Sequence, residues 1–303
     1  MIYNNYSFQV PEEKMVRVIT NTDAKNEADD QYAIVQALLS PRMDNRGFIA
    51  AHFGTMKSDT SMMDSYREVE TVFDKMGLPK DDMIFKGAET AIENEKEPKP
   101  SEGAELIIKE ALSDDPRPLY VTFLGPLTDL ASAYLMEPRI ANRLTAIWIG
   151  GGAYPAGGRE YNLSNDIAAA NVVMKSQIPV WQVPRNVYQM VKVSLAELEY
   201  RVRPYGEIGK YLFDQLNEYA NEKWGVAGYR TGEVWVLGDS PAFGLILCDH
   251  EFNYDWIAAP EFTQEMAYVH TGTNRPIRVY KSVDPRFILE DFYAKLALFA
   301  AGS

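Results

Sequence analysis

Short runs of apolar and β-branched residues recur along this chain, and nearly all are followed by a stretch with helical spacing. The first run, Met15-Val16-Arg17-Val18-Ile19, precedes an amphipathic segment over 31–39. The pattern returns with strands expected at 47–51, 82–85, 119–124, 144–149 and 179–183, and helices at 60–76, 104–112, 127–136 and 166–175. Parallel strands need long crossovers, and helices on the two sheet faces supply them. The fold class expected is therefore α/β, a mostly parallel central sheet with helices on both faces. No low-complexity linker or fixed-period repeat divides the chain, so 1–303 reads as a single domain. The polar stretch 93–101, with Pro98 and Pro100, reads as a surface loop. Further helices are expected at 205–223, 241–248 and 285–299, and short strands within 252–280.

In such folds ligands bind beyond the carboxyl ends of the strands. The first strand runs into Thr20-Asn21-Thr22-Asp23-Ala24-Lys25-Asn26-Glu27-Ala28-Asp29-Asp30, which carries Asp23, Glu27, Asp29 and Asp30 ahead of the first helix. Asp29 or Asp30 alone reads as a helix cap. Capping uses one or two carboxylates, so the full set points to a metal or substrate site. A calcium EF-hand does not fit: counting from Asp23, the sixth position is Ala28 instead of Gly and the twelfth is Ile34 instead of Glu. An aspartyl-phosphate hydrolase of the Asp-x-Asp type is disfavoured by Asn21.

Composition narrows the partners. A net charge of −13 and a pI near 4.8 argue against nucleic acid or an anionic membrane. The single cysteine, Cys248, allows no intramolecular disulfide and fits a reducing compartment. With histidine only at 52, 250 and 270, a zinc site is improbable, while a carboxylate site for a hard cation stays open. Residues 1–10 lack an apolar signal core and no run approaches ~18 apolar residues, so a cytoplasmic location is expected and membrane spanning is not. A homo-oligomer is left open.

Other strand ends add polar groups. Leu124-Gly125-Pro126-Leu127-Thr128-Asp129 stops a strand abruptly, with Pro126 suited to a helix's first turn. Gly150-Gly151-Gly152-Ala153, followed by Gly157-Gly158-Arg159-Glu160-Tyr161-Asn162, reads as a flexible polar loop. It lacks the spacing of a phosphate-binding motif. Gly238-Asp239-Ser240-Pro241 puts one more acid just before a helix.

Taken in order, these motifs resemble the nucleoside hydrolase family. That family opens on an Asp-x-x-x-Asp-Asp loop and continues through a Gly-Pro-Leu-Thr-Asn-like turn, a Gly-Gly-Ala loop leading to Glu-Phe-Asn, and a late His-Asp segment. Here Asp23 with Asp29-Asp30, Gly125 to Asp129, Gly151 to Ala153, Glu160-Tyr161-Asn162 and Asp239 appear in that order over almost the whole chain. The Asp loop is two residues longer than the usual form, at Asn26 and Glu27, which resembles a less characterised nucleoside-hydrolase-like branch.

The resemblance implies a calcium ion held by Asp23, Asp30, Asp239 and the backbone carbonyl of Leu124. It implies a water deprotonated by Asp23, ribose hydroxyls held by Asp29 and Asp239, and a ribose 5′ end met by Glu160 and Asn162. The substrate implied is a small-molecule riboside whose N-glycosidic bond is hydrolysed. Departures fall at the leaving-group end: Gly238 stands where the family often has histidine, and Phe53-Gly54-Thr55 replaces a Gly-Asn segment. Trp224, Tyr229 and Trp235 offer stacking surfaces, although packing explains each by itself. Lys25, Arg159 and Arg230 offer cations for an anionic group, although each also reads as a solvated surface charge. Two other readings remain: a hydrolase of another small sugar conjugate, and a calcium-dependent sugar-binding protein without turnover.

Overall fold

Seven consecutive residues of the first strand, Val16–Thr22, are fully buried, as a strand covered on both faces must be. The structure is a computed structural model that describes residues 3–221, 232–248 and 252–302. Its strands are β1 (Val16–Thr22), β2 (Met43–Ala50), β3 (Ile84–Lys86), β4 (Leu119–Phe123), β5 (Thr145–Ile149), β6 (Val180–Val183), β7 (Lys192–Ser194), β8 (Val234–Val236), β9 (Tyr254–Ala258), β10 (Glu261–Phe262), β11 (Tyr268–Val269) and β12 (Pro276–Tyr280). Its helices are α1 (Asp30–Leu38), α2 (Ser61–Met76), α3 (Glu102–Ala111), α4 (Thr128–Met136), α5 (Tyr161–Asn165), α6 (Ile167–Lys175), α7 (Arg185–Tyr188), α8 (Leu195–Arg201), α9 (Gly206–Asn221), α10 (Pro241–Leu247) and α11 (Pro285–Ala301).

One eight-stranded sheet runs in the order β3-β2-β1-β4-β5-β6-β12-β9. All its pairings are parallel except the edge pair of β12 with β9. One face packs on α1, α2 and α8 to α11, through residues such as Tyr32, Phe73, Leu212, Phe243 and Phe292. The other packs on α3, α4 and α6, through Ile107, Leu130 and Val173. The expected α/β architecture is thus the observed one.

The sheet's order places the site. From β1 the chain winds outward through β2 and β3, then returns to β4 on the other side of β1 and winds away. Strand order reverses between β1 and β4, which is where crossover connections part and leave a crevice. The pairing of Asn21 with Phe123 sets the end of β1 beside the end of β4, so Asp23 and Leu124 emerge as neighbours.

Some local expectations change. Helix α4 begins at Thr128 with Leu127 as its N-cap, so Pro126 precedes the helix instead of filling its first turn. The stretch read as a flexible loop through Asn162 contains α5, whose N-cap is Glu160. The antiparallel pair β7–β8 was also not foreseen, because its partners are three residues each and lie far apart in sequence. Neither carries a local alternation long enough to read.

Candidate active site and metal centre

The loop from Asp23 to Asp29 is held from several directions. Asn26 N–H donates to Asp23 O at 2.8 Å, closing a turn. Gln31 Nε2 donates to Ala24 O at 2.6 Å, and Gln215 Nε2 of α9 to Ala28 O at 2.9 Å. Lys57 Nζ donates to Asn26 O at 2.7 Å and to its Oδ1 at 2.8 Å, while Tyr219 OH donates to the same carbonyl at 3.0 Å. The longer loop is therefore ordered through Asn26, one of its two additional residues.

These fixings gather the acids around a cavity of about 440 Å³ lined by Asp23, Glu27, Asp29, Asp30, Leu124, Glu160, Asn162 and Asp239. That volume lies within the usual range for small-molecule sites. Every residue assigned a role from the sequence thus borders one pocket. Asp29 occupies the N-cap position of α1 but makes no side-chain cap; its Oδ2 accepts Gly238 N–H at 2.9 Å. Simple capping therefore does not account for it. Asp30 Oδ1 accepts Thr22 Oγ1–H. Asp239 arrives from the far end of the chain, after β8, with Leu237 N–H donating to Val191 O at 2.9 Å.

Glycine permits two close approaches. A Cβ on Gly125 would stand 2.9 Å from Asp23 Cγ, and one on Gly238 would stand 3.1 Å from Tyr188 Cδ2 and 3.3 Å from Asp29 Oδ2. Gly238 therefore stands where a side chain would press on Tyr188 and Asp29.

Charge in the pocket is poorly compensated by the chain itself. Burial, then the neighbouring acids, push the Asp23 and Asp239 carboxyls well above the ordinary carboxylate range. Burial, then Asp30, raises Asp29 to about 7. Asp30 is also raised by burial to about 7, against the opposing pull of its Thr22 bond. Burial, then Asp29, raises Glu27 to about 8. The Lys57 ammonium opposes the rise at Asp23 and Glu27. Lys57 escaped the sequence reading because nothing local in Met56-Lys57-Ser58 marks it.

A hard cation fits this donor set. The carboxylates of Asp29, Asp30 and Asp239 offer ligand atoms within 4.8 Å of one another, and all are buried. Asp23 is not in that tight group, but its Oδ2 is buried and has no hydrogen-bond partner among the described residues. A buried orphan carboxylate oxygen is costly unless something outside the protein's own donors meets it. Leu124 O accepts Asn162 Nδ2–H at 2.6 Å, using one of its two lone pairs.

The opposite wall is more self-contained. Glu160 accepts Asn162 N–H at 3.2 Å and Tyr188 O–H at 3.0 Å on Oε1, and Gly151 N–H at 2.8 Å and Leu163 N–H at 2.9 Å on Oε2. Asn162 Nδ2 also donates to Ile149 O at 2.8 Å.

Other sequence candidates fall elsewhere. Asp129 is buried behind the pocket, accepting Asn21 Nδ2–H, Ala88 N–H and Ser101 Oγ–H. Lys25 pairs with Glu68 at 2.9 Å. Trp235 is in the core, edge-on to Tyr219. Trp224, Tyr229 and Arg230 lie outside the described residues.

Comparison with known proteins gives a consistent picture. Residues 12–288 match the family described as inosine-uridine preferring nucleoside hydrolase. A pyrimidine-specific ribonucleoside hydrolase, RihA of Citrobacter koseri, is 28% identical over 309 aligned positions, covering 90% of this chain and 96% of that protein. Among solved structures, a purine-preferring ribonucleoside hydrolase from Gardnerella vaginalis superposes with a TM-score of 0.78 at 19% identity, covering 95% of this chain and all of that one. The plant nucleoside hydrolase PpNRh1 superposes with a TM-score of 0.74 at 19% identity, over 93% of this chain and 99% of that one. Likenesses at that identity speak for the fold.

Proposed function

This chain belongs to the inosine-uridine preferring nucleoside hydrolase family and is a ribonucleoside hydrolase acting on N-glycosyl bonds, and we propose that it works with calcium and with Asp23 as the base. Asp23, Asp30, Asp239 and the carbonyl of Leu124 would hold the ion. Hard oxygen donors of this kind suit Ca²⁺ better than softer metals. When bound, the ion supplies positive charge to offset the carboxylates and lowers the pKa of a water in the pocket.

Asp23 accepts that water's proton at Oδ2, the oxygen that the fold leaves without a donor. This orphan oxygen is the observation that carries the reading. Asp29 and Asp239 accept hydrogen bonds from the 2′- and 3′-hydroxyls, which fixes C1′ in front of the attacking oxygen. Glu160 and Asn162 form the wall that meets the 5′ end. As the C1′–N bond breaks, its electron pair departs with the base, which takes up a proton from solvent. Positive charge builds at C1′ and the ring oxygen, the surrounding carboxylates stabilise it, and the deprotonated water forms the new C1′–O bond.

Release of free base from a panel of ribonucleosides, with chelator and with added calcium, tests the proposal. Asp23→Asn is expected to lower kcat by about 10³-fold with little change in KM. Undiminished turnover in that variant would remove Asp23 from the role.

A further inference from the structure

The pocket's glycine-loop wall carries an unspent set of donors. Glu160 accepts four hydrogen bonds from the protein itself, which fills a carboxylate's capacity. Asn162 gives its amide hydrogens to Leu124 O and Ile149 O. The cationic donors on this wall are Arg159 and Arg185, which also line the cavity. Both are exposed, and neither makes an ion pair among the described residues, although the chain has a net charge of −13.

Their placement is built by the fold. Arg185 N–H donates to Gly151 O at 2.9 Å, next to the Gly151 N–H that Glu160 accepts. Its Nη1 donates to Arg159 O at 3.2 Å, tying the arginine to the segment that leads into Glu160. All other guanidinium hydrogens of the two residues are without a protein acceptor among the described residues. A planar fork of such donors matches phosphate oxygens in geometry and charge.

We propose that Arg159 and Arg185 form an anion subsite for a phosphoryl group on the ribosyl 5′ position, so that the preferred substrate class is the nucleoside 5′-monophosphate. The inference rests on the riboside reading of this pocket, since it takes Glu160 and Asn162 to border the 5′ end. A 5′-hydroxyl would leave both arginines idle, whereas a phosphoryl group accepts from each of them.

The test compares base release from a nucleoside and from its 5′-monophosphate, using the native protein, Arg159→Gln, Arg185→Gln and the double variant. Calorimetry of ribose 5-phosphate and ribose binding runs in parallel. The monophosphate is expected to have kcat/KM about tenfold higher, mainly through KM, with that preference lost in the double variant. Ribose 5-phosphate is expected to bind more tightly than ribose, again only with the arginines present.

Equal handling of the two substrates by the native protein would overturn the subsite, as would a preference that the double variant leaves unchanged. Arginine-dependent tightening for a nucleoside bearing a carboxylate on its base, without tightening for ribose 5-phosphate, would move the anion to the other end and also overturn it. If neither substrate is turned over, the hydrolase reading fails, and the ribose 5-phosphate binding arm still decides the subsite.

Discussion

Strand β1 buries a positive charge at its amino end and meets a negative one just past its carboxyl end, and the protein treats them differently. Arg17 is 3% exposed, yet its guanidinium reaches Glu110 O at 2.6 Å, Ser113 Oγ at 2.8 Å, Arg117 O at 3.0 Å and Asp115 O at 3.2 Å. Glu110 and Asp115 add carboxylates at 3.4 and 3.8 Å. Asp23, 1% exposed, has an oxygen that meets no donor among the described residues and shares its pocket with further acids. The amino end is closed within the chain. The carboxyl end is left unbalanced by the described residues, in contrast to the charge that the chain closes for stability.

The contrast breaks most visibly at Arg17. Arg17→Met is expected to cost about 3 kcal/mol of unfolding free energy, because several buried acceptors lose their donor together. Denaturant unfolding reads this, and turnover per folded molecule should stay near native. A small loss would mean that the amino end is not the self-sufficient network described.

At the carboxyl end, geometry is more sensitive than stability. Gly125→Ala places a Cβ 2.9 Å from Asp23 Cγ, so the carboxylate must shift. Turnover is expected to fall about tenfold or more, since misplacing a reacting group is costly even at small distances. An unchanged kcat would show that Asp23 needs no such close fit.

Neutralising an acid there should have the opposite sign from losing Arg17. In chelator-treated protein, Asp30→Asn is expected to gain about 1 kcal/mol at pH 8, because one member of a mutually repelling set is removed. The pH dependence follows from the direction of the shifts. Asp29 and Asp30 rise from 3.8 to about 7, and Glu27 from 4.5 to about 8. The folded state then holds protons that the unfolded chain has already released. Metal-free stability is therefore greatest near or below pH 4 as far as these groups are concerned. It declines as pH rises through 7 to 8, so the gain from Asp30→Asn should shrink toward pH 5. A gain independent of pH would detach it from these carboxyls.

Much of this organisation is legible in the sequence. Residues 15–19 read as strand and 31–39 as helix because apolar period and helix-start chemistry agree there, close to the observed Val16–Thr22 and Asp30–Leu38, and the acids between them had to lie at a strand's carboxyl end. Asp239 could be joined to Asp23 only through the family resemblance, because no local pattern links positions so far apart. The structure supplied the rest where contacts are non-local. Helix α5 hid behind glycines, and its cap, Glu160, is not one of the residue types that usually mark a helix start. Lys57 reached Asn26 from another crossover. That the Glu160 carboxylate spends all its capacity on its own wall was legible only from distances.

The acids beyond β1 are proposed as a calcium site on which turnover depends. Calcium titrated into chelator-stripped protein at pH 8, followed by calorimetry and base release on the same samples, tests it most directly. Saturable binding of one ion per chain is expected, with turnover restored in proportion to occupancy and both lost in Asp30→Asn. Full turnover in the stripped protein, with no calcium uptake, would contradict it.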